Sequence, residues 1–86
     1  MASINATIRQ YLIDEALQGE SPDDLTDDTN LVEEEILDSL GIFALVEWLE
    51  ETFHVRIEAE EVVMTNFESI RTIEALVERL TQPAAT

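Results

Sequence analysis

The sequence predicts an all-α fold: a small four-helix bundle with three main helices, one short third helix and a long first loop. Three observations point there. Apolar residues recur at spacings of three and four in separate stretches, no strand-like alternation persists, and 86 residues leave room for a single core. With no cysteine in the chain, neither disulfides nor a thiolate zinc site supplements that core, so apolar patterning has to supply the stability. Residues 1–86 therefore read as one domain, with its ordered part spanning about residues 3 to 81.

In the first helix, Ile4, Ile8, Tyr11 and Leu12 fall on one face, which Ile13, Ala16 and Leu17 widen, and Ser3 stands where an N-cap belongs. Gly19 and Pro22 end it near residue 18. Residues 20 to 38 then carry nine acids: Glu20, Asp23, Asp24, Asp27, Asp28, Glu33, Glu34, Glu35 and Asp38. Only Leu25, Leu31, Val32, Ile36 and Leu37 can pin this stretch to the core. A loop of that length inside a small domain is unusual unless it positions something, which directs attention to its last residues.

The second helix begins at Asp38 or Ser39, since aspartate is a good N-cap and an amphipathic pattern starts immediately afterwards. Ile42, Leu45, Val46, Leu49 and Phe53 lie within one arc of about 100°. Fully buried, such a stripe contributes on the order of 10 kcal/mol before chain entropy is subtracted. Trp48 sits at its edge. The opposite arc mixes apolar and acidic groups, Leu40, Phe43, Ala44, Glu47, Glu50 and Glu51, which packing within the domain does not require. After His54, Val55-Arg56-Ile57 reads as extended, followed by a short helical turn around Glu60 to Val63 whose Val62 and Val63 close the bottom of the bundle. Ile70, Ile73, Leu76, Val77 and Leu80 define the last helix, with Ser69 as its cap and Pro83 just beyond it, and the tail from Gln82 to Thr86 frays.

Charge narrows the partners. Twenty acids against four arginines and no lysine give a net charge of −16, which repels phosphate backbones and anionic lipid headgroups. Nucleic acid and direct membrane binding are disfavoured, and the natural partner is a protein with a basic patch. No apolar run approaches the roughly eighteen residues needed to span a bilayer, and the N-terminus lacks a signal-peptide layout, so the expected compartment is the cytoplasm. Enzymatic readings lack parts. Ser39 and His54, the single histidine, are separated by about 22 Å of helix and cannot share a proton. The acids at Asp23, Asp24, Asp27 and Asp28 lack the glycine and alternation of a calcium loop, so no metal site is expected.

The most informative stretch is Leu37-Asp38-Ser39-Leu40-Gly41 at the junction of loop and helix. A hydroxyl in the first turn stands near backbone N–H groups that lack intrahelical partners, at the positive end of the helix dipole. A phosphodiester attached there would be stabilised. Read locally, Asp38 or Ser39 is also what a simple helix cap looks like, and a tripeptide this short occurs by chance in many proteins.

Taken along the chain, Asp38-Ser39-Leu40 between an acidic loop and an acidic amphipathic helix ending at Phe53 resembles the acyl and peptidyl carrier proteins. The likeness continues through Val55-Arg56-Ile57, the short third helix and Asn66-Phe67-Glu68-Ser69-Ile70, covering nearly the whole chain. The resemblance implies that Ser39, flanked by the motif residues Asp38 and Leu40, receives a 4'-phosphopantetheine arm from coenzyme A through a magnesium-dependent phosphopantetheinyl transferase. The arm's thiol would hold an acyl or aminoacyl group as a thioester, which explains how a chain without cysteine performs thiol chemistry. It also implies that Leu40, Phe43, Ala44, Glu47, Glu50 and Glu51 meet partner enzymes, including an acyl or aminoacyl ligase. The chain itself would be a monomeric carrier and no catalyst. Ile36-Leu37 stands where nonribosomal peptide carriers often have Gly-Gly, and Gly41 stands where fatty-acid carriers usually have an acid. The stretch looks more like discrete carriers dedicated to one pathway, including those similar to D-alanyl carrier proteins. The alternative from a different class is a non-covalent acidic adaptor that docks basic partners through the second helix alone.

Overall fold

The computed structural model describes residues 3–17 and 25–81. The expectations placed on Gly19, Pro22, Asp23, Asp24 and the tail from Gln82 to Thr86 lie outside the described residues. Helix α1 spans Ile4–Tyr11, and the Ser3 hydroxyl accepts the Ala6 N–H at 3.0 Å. The sequence pattern predicts one uniform α-helix to about residue 18. Instead the chain widens into a π-helical turn at Leu12–Ala16, with the Leu17 N–H bonded to the Leu12 carbonyl at 2.9 Å. Within this turn Leu12 is buried and Ile13, Ala16 and Leu17 pack against the core, while Asp14 and Glu15 stay exposed.

The loop is tied down at many points. Arg9 donates to the Leu25 carbonyl at 2.8 Å and pairs with Asp27. Arg71 grips Asp28 through two bonds of 2.6 and 3.1 Å. Backbone bonds join Leu31 N–H to the Glu68 carbonyl at 2.7 Å and Arg71 N–H to the Asp27 carbonyl at 2.9 Å. Asn30 Oδ1 accepts the N–H groups of Val32 and Glu33, starting a single turn that ends with Glu35 in the left-handed region at φ 59°. Three of the expected anchors, Leu25, Leu31 and Leu37, are buried, while Ile36 packs against the core and Val32 is half-buried.

Helix α2 spans Ser39–Phe53 with Asp38 as its N-cap. Leu45, Val46 and Leu49 are buried, and Ile42 and Phe53 pack on the core edge. Trp48 forms the border that its place in the arc predicts, stacked on Tyr11 at 4.2 Å between ring centres and edge-on to Phe53 at 5.9 Å. The helix ends at His54 in the left-handed conformation, φ 55°.

The third piece departs from its expected place. A 3₁₀ turn occupies Ala59–Glu61, and the short helix α3 follows at Met64–Phe67. The Asn66 side chain donates to the Glu61 carbonyl at 2.7 Å and fixes the turn between them. Phe67, fully buried, closes the bundle where Val62 and Val63 were expected to; Val62 only borders the core, and Val63 is exposed. Helix α4 spans Ile70–Thr81, burying Ile70, Ile73, Leu76 and Val77. Ser69 and Thr72 bracket its start: the Ser69 hydroxyl accepts the Thr72 N–H at 3.2 Å, and the Thr72 hydroxyl accepts the Ser69 N–H at the same distance. These helices form a helical bundle with no strand among the described residues.

Candidate functional site

Ser39 is the first residue of α2 and is exposed. Asp38 just before it turns its Oδ1 inward to accept the Gly41 N–H at 2.7 Å, and its carbonyl accepts the Ile42 N–H at 2.8 Å. The neighbouring carboxylate therefore caps the helix. None of the hydrogen bonds among the described residues engages the Ser39 hydroxyl. The N–H groups of Ser39 and Leu40 are the donors that the start of a helix leaves without intrahelical partners. Together with the dipole of a 15-residue helix they favour an anion on Ser39. Gly41 keeps this turn tight, because a Cβ there would stand 3.2 Å from Asp38 Oδ1 and 3.4 Å from a methyl of Leu37.

Beside Ser39 runs a cleft of about 400 Å³ whose walls include Leu37, Ile42 and Met64, with Glu35 at its rim. Exposed apolar side chains gather around the same hydroxyl: Leu40 is 79% exposed, Phe43 62%, Met64 55% and Val63 45%. A smaller pocket links Ser39 to Phe43, Val63 and Met64. No other described residues leave large hydrophobic groups so open. Val63 and Met64 were not singled out as site residues from the sequence; only the fold, by setting α3 beside the start of α2, brings them there.

The remaining positions on α2 divide. Leu40, Phe43, Ala44, Glu47 and Glu51 are exposed on one side of the helix. Glu50 is half-buried, and its Oε2 accepts the Ile57 N–H at 2.9 Å, which holds the segment after His54 against α2. Ser39 and His54 stand at opposite ends of α2. Among the described residues, no three histidine, aspartate or glutamate side chains converge as a metal site would require.

An exposed, unpaired serine hydroxyl opening a long helix beside an acidic cap, inside a helical bundle, defines the class. The chain belongs to the phosphopantetheine-attachment family: the model of the phosphopantetheine attachment site matches residues 6–80. It is a carrier protein of the acyl and peptidyl kind, and its prosthetic group is 4'-phosphopantetheine. Among individual relatives, it is 34% identical over 77 residues to the probable acyl carrier protein PigG of Serratia sp. (strain ATCC 39006), covering 90% of this chain and 87% of that one. Its fold matches a solved chain from the crystal structure of an FAD-dependent dehydrogenase, with a TM-score of 0.72 and 32% identity over 83% of this chain and 99% of that one. It also matches the apo peptidyl carrier structure KstB-PCP, with a TM-score of 0.62 and 30% identity over 92% of this chain and 89% of that one.

The residues present fit the group. Ser39 offers a free hydroxyl, the helix start offers donors for the phosphodiester, and the adjoining cleft has an apolar wall for the arm's dimethyl end. When bound, the arm supplies the thiol that holds an acyl group as a thioester.

Proposed function

We propose that Ser39 is the attachment residue and that this chain presents an acyl or aminoacyl thioester to the enzymes of one biosynthetic pathway without itself catalysing a step. The observation that carries this is the free Ser39 hydroxyl at the first position of α2, ringed by exposed Leu40, Phe43, Val63 and Met64. A phosphopantetheinyl transferase using coenzyme A and magnesium would modify it, and a separate acyl or aminoacyl ligase would charge it. Leu40, Phe43, Ala44, Glu47 and Glu51 form the docking face, with apolar groups to seat a partner and carboxylates to steer its basic residues. Glu50 acts behind that face by holding Ile57. An FAD-dependent dehydrogenase is a further partner class in this reading, since a solved chain matched over 99% of its length carries that title. We read the chain as one monomeric domain working in the cytoplasm. No described helix is long and apolar enough to cross a membrane, which is compatible with that placement.

The test is intact-protein mass spectrometry after co-expression with a broad-specificity phosphopantetheinyl transferase, beside the Ser39→Ala variant. The parent gains one phosphopantetheine and the variant none. An unmodified parent next to a working control carrier would sink the reading and favour a non-covalent adaptor.

A further inference from the structure

Four large apolar side chains stand open around Ser39, and three of them, Leu40, Phe43 and Val63, are plain hydrocarbon and chemically inert. The fourth, Met64, carries a thioether. It lines the cleft of about 400 Å³ beside Ser39 and also the smaller pocket that joins Ser39 to Phe43 and Val63. Sulfur is scarce in this chain, which has no cysteine and two methionines, and Met64 is the methionine among the described residues. Its side chain is 55% exposed and takes no part in the hydrophobic core. The short helix α3 is held instead by buried Phe67 and by the bond from the Asn66 side chain to the Glu61 carbonyl. A change of chemistry at Met64 is therefore felt at the attachment site and hardly at all in the bundle.

We propose that Met64 is a reversible oxidation site through which a peroxide turns down the modification of Ser39. The inference rests on Ser39 being the attachment residue. A sulfur lone pair attacks one oxygen of hydrogen peroxide, the O–O bond breaks as the S–O bond forms, and the departing hydroxide takes the proton of the transferred oxygen to leave as water. Sulfur loses two electrons, the peroxide gains them, and Met64 becomes methionine sulfoxide. The exposure of the side chain leaves its sulfur within reach of the oxidant.

Oxidation reverses the character of this wall. A flexible apolar side chain becomes a polar one whose new oxygen is a hydrogen-bond acceptor. A transferase that has to reach the serine oxygen covers the cleft and the pocket that Met64 lines, so docking sets the sulfoxide against apolar atoms with no donor to meet it. Burying an acceptor in that way costs affinity. Leu40, Phe43 and Val63 keep their character, so docking is weakened and not abolished.

The test treats the unmodified chain with hydrogen peroxide, removes the peroxide with catalase, locates the oxygen by peptide mass spectrometry, and then times phosphopantetheine transfer from coenzyme A by a broad-specificity transferase. Met64 gains one oxygen atom, and kcat/KM for the oxidised chain falls about fivefold with the loss carried by KM. The melting temperature stays within about 2 °C of the untreated chain, because the core is untouched. The two methionine sulfoxide reductases, one for each epimer, remove the oxygen and restore the rate. Met64→Leu, measured against its own untreated form, does not respond to peroxide although Met1 remains. A Met64 that resists peroxide under conditions that convert free methionine, a sulfoxide form modified at the untreated rate, an equal slowing of Met64→Leu, or a rate that stays low after the oxygen is removed would each overturn the proposal while leaving Ser39 as the attachment residue. An untreated chain that gains no mass overturns the attachment reading and this inference with it.

Discussion

The loop side of the molecule and the outer side of α2 handle the same excess of acid in different ways. On the first, Arg9 pairs with Asp27 and Arg71 with Asp28; the other two arginines pair beyond α2, Arg79 with Glu61 and Arg56 with Glu58. Helix α2 carries no basic residue, and its exposed Glu47 and Glu51 lie beside the open side chains of Leu40 and Phe43. Cations thus stand where the chain must be held to itself, and acids are left uncompensated around the hydroxyl. A carrier that has to meet several enzymes briefly gains from that division, because steering speeds encounter without demanding tight binding.

The sharpest way to break the comparison is to truncate one phenylalanine in each region. Phe67→Ala empties a fully buried site and should cost about 3–5 kcal/mol in chemical denaturation, whereas Phe43→Ala should change stability by no more than about 0.5 kcal/mol. Phe43→Ala should instead slow modification by the transferase. A large stability loss at Phe43 would mean that its face belongs to the core.

Charge removal gives the next effect. Glu47→Gln/Glu51→Gln should lower the transferase's kcat/KM about tenfold at low ionic strength, with the gap closing as salt screens the parent. The same variant should melt at an equal or higher temperature, since it relieves self-repulsion, and added salt should raise the melting temperature of the parent. A kcat/KM insensitive to both changes would reduce the α2 acids to a solvated face.

On the loop side, Arg9→Ala should destabilise by about 1 kcal/mol, a partly exposed ion pair and one backbone bond being lost together. The exposed Arg71–Asp28 pair is better read through pH. The Arg71 hydrogen bond, with its charge, holds the Asp28 carboxyl below the ordinary 3.8, against a smaller opposing effect of desolvation. Its contribution is therefore present above that value and lost as pH falls through it and then through the lowered folded value. The stability difference between parent and Asp28→Asn should stay level from neutral pH down to about 3.8 and shrink below it. A difference that instead grows in acid would contradict the pairing.

Much of this was legible beforehand because helix starts are written locally. Ser3, Asp38 and Ser69 each precede an apolar repeat, and each cap bonds as its residue type predicts. Ser39 could be located for the same reason. The third helix was misplaced because four residues are too few to establish a period, and Met64–Phe67 contributes one buried side chain, Phe67. The π-helical turn left no mark either, since Leu12, Ile13, Ala16 and Leu17 also fit an α-helical face. Arginine pairings such as Arg71 to Asp28 span 43 residues and depend on the finished fold. So does the gathering of Val63 and Met64 beside Ser39.

The smallest expected stability effect tests the junction between the two regions. In Gly41→Ala, alanine's better helix propensity favours the variant by at most about 1 kcal/mol. Against it stands the new Cβ, 3.2 Å from Asp38 Oδ1, the oxygen that accepts the Gly41 N–H at 2.7 Å. Asp38 is exposed and can yield, but yielding lengthens the bond it makes, and a weakened cap costs a similar amount. The two effects should nearly cancel, leaving the unfolding midpoint within about 0.5 kcal/mol of the parent. The variant should therefore keep the parent's stability and still accept the arm on Ser39. A loss well above about 1 kcal/mol would show that Asp38 does not yield and that the cap outweighs helix propensity.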